Sequence, residues 1–243
     1  MIHPVIFRTT LRERVAAPGR WVGVLLLLIW PAILMAFMHT EQERTAIGSA
    51  FAFFETFVVW VAGAGLIGED ISSGTILLVL ARPVRRSAYV FSKWLALTAL
   101  AATMMVLQAV ITGVVAWKLG APADLAFLVR GAAISAVGAA GSAAVLVVFS
   151  VVAGNAKEMG GAMLTYAALS LLRVLAMTRG WSRVAALAES ASGLLMPSLK
   201  IHAAFAGTGV NWGALGAFAF VTCASLTLAV VILNRRQLSY AAA

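Results

Sequence analysis

Long uninterrupted apolar runs constrain this chain more than any other feature. They recur at about residues 21–38, 47–68, 94–117, 131–153, 159–178 and 212–233, separated by polar links. A helix needs about 20 apolar residues to cross the ~30 Å hydrocarbon core of a bilayer. No water is available there, so each segment must satisfy its own backbone N–H and C=O groups, which an α-helix does. A transmembrane β-barrel would show short alternating segments instead. The whole chain is 62% hydrophobic and 11% charged over 243 residues, with a mean hydropathy of +0.98. Soluble domains are about half apolar and about a quarter charged. The expectation is an all-α integral membrane protein, a single transmembrane domain over 1–243 with six spans.

Two segments flank or interrupt those spans without crossing. Residues 1–20 carry Arg8, Arg12, Arg14 and Arg20, with Ile6, Phe7, Leu11 and Val15 at helical spacing. That pattern predicts a basic helix lying in the membrane interface. Residues 179–210 are too polar and broken to span, yet too apolar for a solvated loop. Trp181, Val184, Leu187 and Ala188 share a helical face against Arg183 and Glu189, and a break follows before Leu194–Pro197. An interfacial or re-entrant helical segment before span 6 is expected.

The formal charge of +9 would suggest nucleic acid in a soluble protein. Here the cations stand at the ends of apolar runs, where they set topology and meet anionic lipid. With six spans, eleven Lys and Arg fall on the side of the termini and seven on the other. The bias predicts a multi-pass cell-membrane protein with both termini cytoplasmic. It also puts the link between spans 2 and 3 inside. The single cysteine, Cys223, lies within an apolar run and cannot form an internal disulfide.

That link is the densest polar stretch of the chain. Residues 68–93 read GEDISSGTILLVLARPVRRSAYVFSK. Ser72 or Ser73 is placed to cap a short helix over 75–80. Pro83 disfavours helix at the residue before it, so that helix should stop near Ala81. Ser87 is placed to cap the next helix, which enters the membrane at Trp94. Upstream, Gly63, Gly65 and Gly68 match a G-x-G-x-x-G string. No strand precedes it, so close helix packing explains it better than a dinucleotide. A further stripe of small residues, Ser135, Gly138, Ala139 and Ser142, permits close helix contact, within the chain or with a second copy.

The ordered string Gly68-Glu69-Asp70, Gly74-Thr75, Leu77-Leu78, Arg82-Pro83, Arg86 and Lys93-Trp94 resembles the permease subunits of the type-2 ABC exporter family. The motif covers about a tenth of the chain. The resemblance implies that this segment is a cytoplasmic loop whose short coupling helix meets a separate ATP-binding subunit. The residues it nominates are Glu69, Asp70, Gly74, Thr75, Leu78, Arg82, Pro83, Arg85 and Arg86. Glu69 and Asp70 would contact the ATPase or fix the loop by pairing with Arg82, Arg85 or Arg86. It implies a dimer with a second permease copy or paralogue, ATP and Mg held by the partner subunit, and a re-entrant element on the outer face before the last span.

Other classes are disfavoured. The chain has no Walker A string, no H-E-x-x-H and no G-x-S-x-G, so no catalytic residue and no ATPase is expected in it. Its spans lack the paired ionisable groups of ion-coupled carriers. Met35, Met38 and His39 read as packing at a span end rather than as a soft-metal site, and no metal is expected. The polar groups on a substrate path would be Glu55 and Gln108. Glu55 reads equally as a hydrogen-bonded interface residue, and Arg173 as a snorkelling cation. So apolar a path suits a hydrophobic or amphiphilic substrate, a lipid or a drug. The alternative is a membrane scaffold or sensor that holds a soluble partner through the 69–93 loop without transport.

Overall fold

The computed structural model describes residues 2–16, 18–37, 54–81, 83–118, 125–153, 157–206 and 209–236. Met38, His39, the polar link that follows, the start of the second apolar run and Arg82 lie outside them. Among the described residues every regular element is helical: α1 (Pro4–Val15), α2 (Pro18–Phe37), α3 (residues 54–63), α4 (Gly68–Ser72), α5 (Thr75–Leu80), α6 (Arg86–Lys118), α7 (Leu125–Ala153), α8 (Lys157–Thr178), α9 (Ser182–Leu195), α10 (Pro197–Ala204) and α11 (Trp212–Arg235).

Among the described residues four stretches, within α6, α7, α8 and α11, are long and apolar enough to cross a membrane: Arg86–Val115, Leu128–Ala153, Met159–Thr178 and Trp212–Arg235. They match four of the expected spans. α2 carries a shorter apolar stretch, Trp21–Trp30. α6 begins at Arg86, within a residue or two of the start expected from a Ser87 cap, so Lys93 and Trp94 lie two turns inside the helix. Trp94 is tied to a neighbouring helix. Its indole N–H donates to the Ala140 carbonyl of α7 at 2.8 Å, stapling the two helices.

α7 is the central helix. It packs on α6, α8, α10 and α11, and 61% of its apolar window is buried against 11% for α8. Its Ala139, Ala143, Leu146, Val147 and Val151 meet Leu97, Ala101, Met104 and Met105 of α6 in one core. α8 leaves Leu164, Leu171 and Val174 exposed, and α11 leaves Phe220 and Leu228 exposed. Those faces suit lipid or another apolar partner, because α7 already takes the inner face of each.

The glycine string of α3 works through packing and turning. A side chain at Gly63 would collide with Leu146 and stand 2.6 Å from a Leu97 methyl. Gly65 has φ +76°, a left-handed conformation that ends α3 in a turn over 64–67. The small-residue stripe of α7 also packs within the chain. Gly138 accommodates Glu55, and Ser142 Oγ lies 3.2 Å from Thr56 Oγ1 of α3.

Residues 179–210 hold two helices, α9 and α10; the break expected before Leu194 lies instead at Met196, ahead of Pro197. α10 sits between α7 and α11, burying Pro197, Ser198, Ile201 and Ala204. The predicted apolar face of α9 is not its buried face. Trp181 and Leu187 are exposed, and Ala188 is the buried member. α9 instead folds back along α8, where Arg173 pairs with Glu189 at 3.3 Å. The Arg173 head therefore meets an acid of the next helix.

α1 also departs from the expected pattern. It does not bury Phe7 and Val15. Its buried row is Ile6, Thr10 and Arg14, one residue per turn, packed on α6. An arginine replaces an apolar anchor in that row, and its partners explain why.

Candidate functional site

The site grows from the turn that ends α3. The last carbonyls of a helix have no partner within it. Just past the end of α3, Arg14 of α1 donates to the turn carbonyls Ala64 O and Gly65 O, the latter at 2.9 Å, and Gly65 O also accepts from the Glu69 N–H at 3.3 Å. The same side chain lies 3.7 Å from the Glu69 carboxylate. At the turn's far edge, the Ile67 and Gly68 N–H groups donate to Ser150 Oγ of α7 at 2.8 and 3.0 Å. The start of α4 is thus held from both sides.

Asp70, one residue on, is held by α6. Lys93 Nζ stands 2.8 Å from its Oδ2, with a side chain only 5% exposed. The Tyr89 hydroxyl donates to the same oxygen. Glu13 of α1 adds a second, looser carboxylate 4.0 Å from Lys93. The acids therefore pair with Arg14 and Lys93, and not with Arg85 or Arg86 as the loop sequence suggested. Arg86 reaches elsewhere, donating to Leu233 O at 2.7 Å and Asn234 O at 3.0 Å at the end of α11.

α5 is the predicted short helix, from Thr75 to Leu80 with Ala81 closing it. Its cap differs from the expectation. Gly74, in the left-handed conformation at φ 73°, is the N-cap residue, and no side chain caps the helix. The Ser72 and Ser73 hydroxyls instead turn back to the Glu69 carbonyl. Ser87, the other predicted cap, lies within α6. α5 buries Ile76 and presents Leu78, which is 73% exposed. Thr75, Pro83 and Arg85 are exposed beside it. An open cleft of about 460 Å³ lies in front, lined by Glu13, Arg14, Glu69, Asp70, Ser72, Ser73 and Thr75.

Gly65 is the residue on which this arrangement turns. A Cβ there would collide with the Glu69 carboxyl, in a backbone conformation that L-residues avoid. Left-handed backbone costs a residue with a side chain about 1–2 kcal/mol before any collision. Gly65→Ala is expected to lower stability by about 2 kcal/mol and to displace Glu69. Thermal unfolding in detergent checks it, and an unchanged midpoint would refute the left-handed turn.

A second polar cluster lies among α3, α7 and α10. His202 Nε2 is 3.2 Å from Glu55 Oε2 and 3.3 Å from Ser135 Oγ. Thr56 Oγ1 is 2.7 Å from Ser198 Oγ. Each row takes one residue from each helix. Glu55 is fully buried, in a hydrogen-bonded interface in this conformation. Gln108 is buried on α6, and no hydrogen bond joins it to Glu55. The sequence reading missed Arg14, Lys93, Tyr89, Ser150 and His202. Among the described residues no group of three His, Cys, Asp or Glu is placed to hold a metal ion.

The chain belongs to the ABC-2 family of transporter proteins, whose family model matches residues 32–238. It is a multi-pass membrane permease of an ABC transporter, in a family that is the transport component and not itself the ATPase. The family implies an ATP-binding cassette partner. No curated protein matches the chain significantly.

Proposed function

We propose that this permease exports a hydrophobic or amphiphilic substrate, such as a lipid or drug, with ATP and Mg bound and turned over by a separate cassette subunit. It works as a dimer with a second permease copy or paralogue. It crosses the membrane six times within one domain over 1–243, with both termini and the 68–93 segment in the cytoplasm. The observation that carries the reading is Leu78, an apolar side chain that stands exposed midway along α5 while Ile76 of the same helix is buried. A docking anchor has that character, because an apolar knob gains most from a partner's pocket when its base is fixed beforehand. Gly74 sets the start of α5, Pro83 its exit, and Glu69 and Asp70 its posture. Arg85 supplies charge beside α5, and Arg82 adds a second cation in the sequence before Pro83. Glu55 and Gln108 are the polar groups available to a substrate path through otherwise apolar spans.

ATP-driven closure of the cassette dimer would then displace α5 and, through it, α6 and α7. Such coupling requires the partner to bind one arrangement of a bistable element better than the other. Co-purification in detergent tests the dock. The parent chain, co-expressed with its cassette subunit, is expected to retain it. Leu78→Asp is expected to lose at least about 1.4 kcal/mol of affinity, tenfold, with an unchanged unfolding midpoint. Equal retention by the variant would remove α5 from the interface. Failure of the folded parent chain to bind any cassette subunit would favour a scaffold that docks another soluble partner.

A further inference from the structure

Arg86 and Arg236 do not behave as free surface cations. Arg86 opens α6 directly after the 68–85 segment and donates to the Leu233 and Asn234 carbonyls at the end of α11. Arg236, one residue past α11, donates to Val151 O in the last turn of α7. One residue earlier, Ser150 Oγ accepts the N–H groups of Ile67 and Gly68, where the segment begins. These bonds close a ring. It runs from Gly68 through α4 and α5 to Arg86, across to the end of α11, across to the end of α7, and back to Gly68.

We propose that Arg86 and Arg236 are positioning residues that carry displacement of the 68–85 segment into α11 and α7. They are not contacts for the cassette subunit. The inference rests on the reading that the segment docks that subunit. Its physical basis is the bond type. A guanidinium bonded to the terminal carbonyls of a helix satisfies acceptors that have no partner of their own and opposes the negative end of the helix dipole. Such a bond transmits displacement because breaking it leaves those carbonyls unpaired. α5 packs through Ile76 into the common core, which also takes in Ala229 and Leu233 of α11; the arginine bonds add a directional polar link to that apolar contact. The ring would move the last helix together with α6 and α7 when α5 is pushed.

The test uses the full permease bound to its cassette subunit, with Arg86→Gln, Arg236→Gln and Arg86→Lys. Three readouts are taken: the Kd of the two subunits, the KM for ATP, and the permease-dependent kcat. For both Gln variants, Kd and KM are expected to stay within about threefold of the parent while kcat falls at least about fivefold. Arg86→Lys keeps one charged donor and is expected to recover part of kcat. A Kd that rises in step with lost turnover would make Arg86 a docking contact and overturn the proposal. Parent-like turnover in both Gln variants would overturn it as well. Loss of the folded chain in both would reduce the ring to a folding element, which also overturns it. If the parent chain itself neither binds nor stimulates the cassette subunit, the failure lies with the proposed function.

Discussion

Replacing Asp70 with alanine is expected to destabilise the permease by about 3 kcal/mol, the largest effect of a single change in the 68–93 segment. The reason is Lys93. Its side chain is 5% exposed, and its nearest acid is Asp70 at 2.8 Å. Removing the acid leaves an ammonium out of water with no close counter-charge, which costs about 3–5 kcal/mol in buried pairs. The low end applies because Glu13 stands 4.0 Å away on a side chain that is 62% exposed and able to swing inward. Asp70 also accepts from the Tyr89 hydroxyl, so that group loses its acceptor too. Lys93→Met should cost less, since Asp70 is 19% exposed and keeps both Tyr89 and some water. The double variant Asp70→Ala with Lys93→Met should recover most of the loss, because no unpaired charge remains. Thermal unfolding of the four proteins in one detergent gives the coupling energy directly. Additive losses would show that Lys93 is solvated and that the pair does not hold α4 to α6.

What was legible in the sequence follows from the range of the forces involved. Hydropathy is local, so α6, α7, α8 and α11 stand where the apolar runs place them. The helix at 75–80 and its stop at Ala81 are also local, since Pro83 acts within two residues. The break expected before Leu194 was misplaced: α9 runs through Gly193 to Leu195, and the interruption falls at Met196 before Pro197. The partners of the charges were not legible. Arg14 meets a turn fifty residues on, Arg86 meets carbonyls 147 and 148 residues on, and Ser150 accepts from amides more than eighty residues back. A loop rich in both signs invites pairing within itself, and that is why Arg82, Arg85 or Arg86 is the expected partner of Glu69 and Asp70; Arg82 lies outside the described residues, and Arg85 and Arg86 do not pair with them. The helix ends prevail over that local choice. α3, α7, α10 and α11 each end in carbonyls that need donors. Arginines from distant positions supply them: Arg14, Arg236, Arg130 and Arg86. The cationic bias that predicts orientation from sequence is therefore also, in three of these four cases, the set of caps on one end of the bundle. A sign of this was present in α1. An arginine in register with Ile6 and Thr10 breaks the apolar face expected of an interfacial helix.

Arg14 carries the second large expectation. Its removal unfastens α1 from the turn that ends α3, because the Ala64 and Gly65 carbonyls and the Glu69 carboxylate share this one guanidinium. Hydrogen bonds to charged donors are worth about 1.5–3 kcal/mol each when buried, and of the two carbonyls Gly65 O keeps the Glu69 N–H at 3.3 Å when the guanidinium is removed. The ion pair adds little by itself, since Glu69 is 47% exposed and screened by solvent. Arg14→Ala is thus expected to lose about 2–3 kcal/mol, nearly all through the carbonyl bonds. Arg14→Lys should fall between, as one ammonium on a shorter reach cannot serve both carbonyls in the same plane. Glu69→Gln should change stability by less than about 1 kcal/mol. Glu69→Lys is a poorer probe, because it sets a second cation against a buried guanidinium. Amide exchange locates the effect. Protection should drop in Arg14→Ala at residues 65–74 and along α1, and stay at parent level through the middle of α7. A uniform drop over all helices would mean that Arg14 supports the fold at large. An unchanged pattern at 65–74 would mean that Ser150 alone holds the turn. The local outcome is the one that a clamp requires, and it would make α1 part of whatever α5 passes on when the cassette subunit moves.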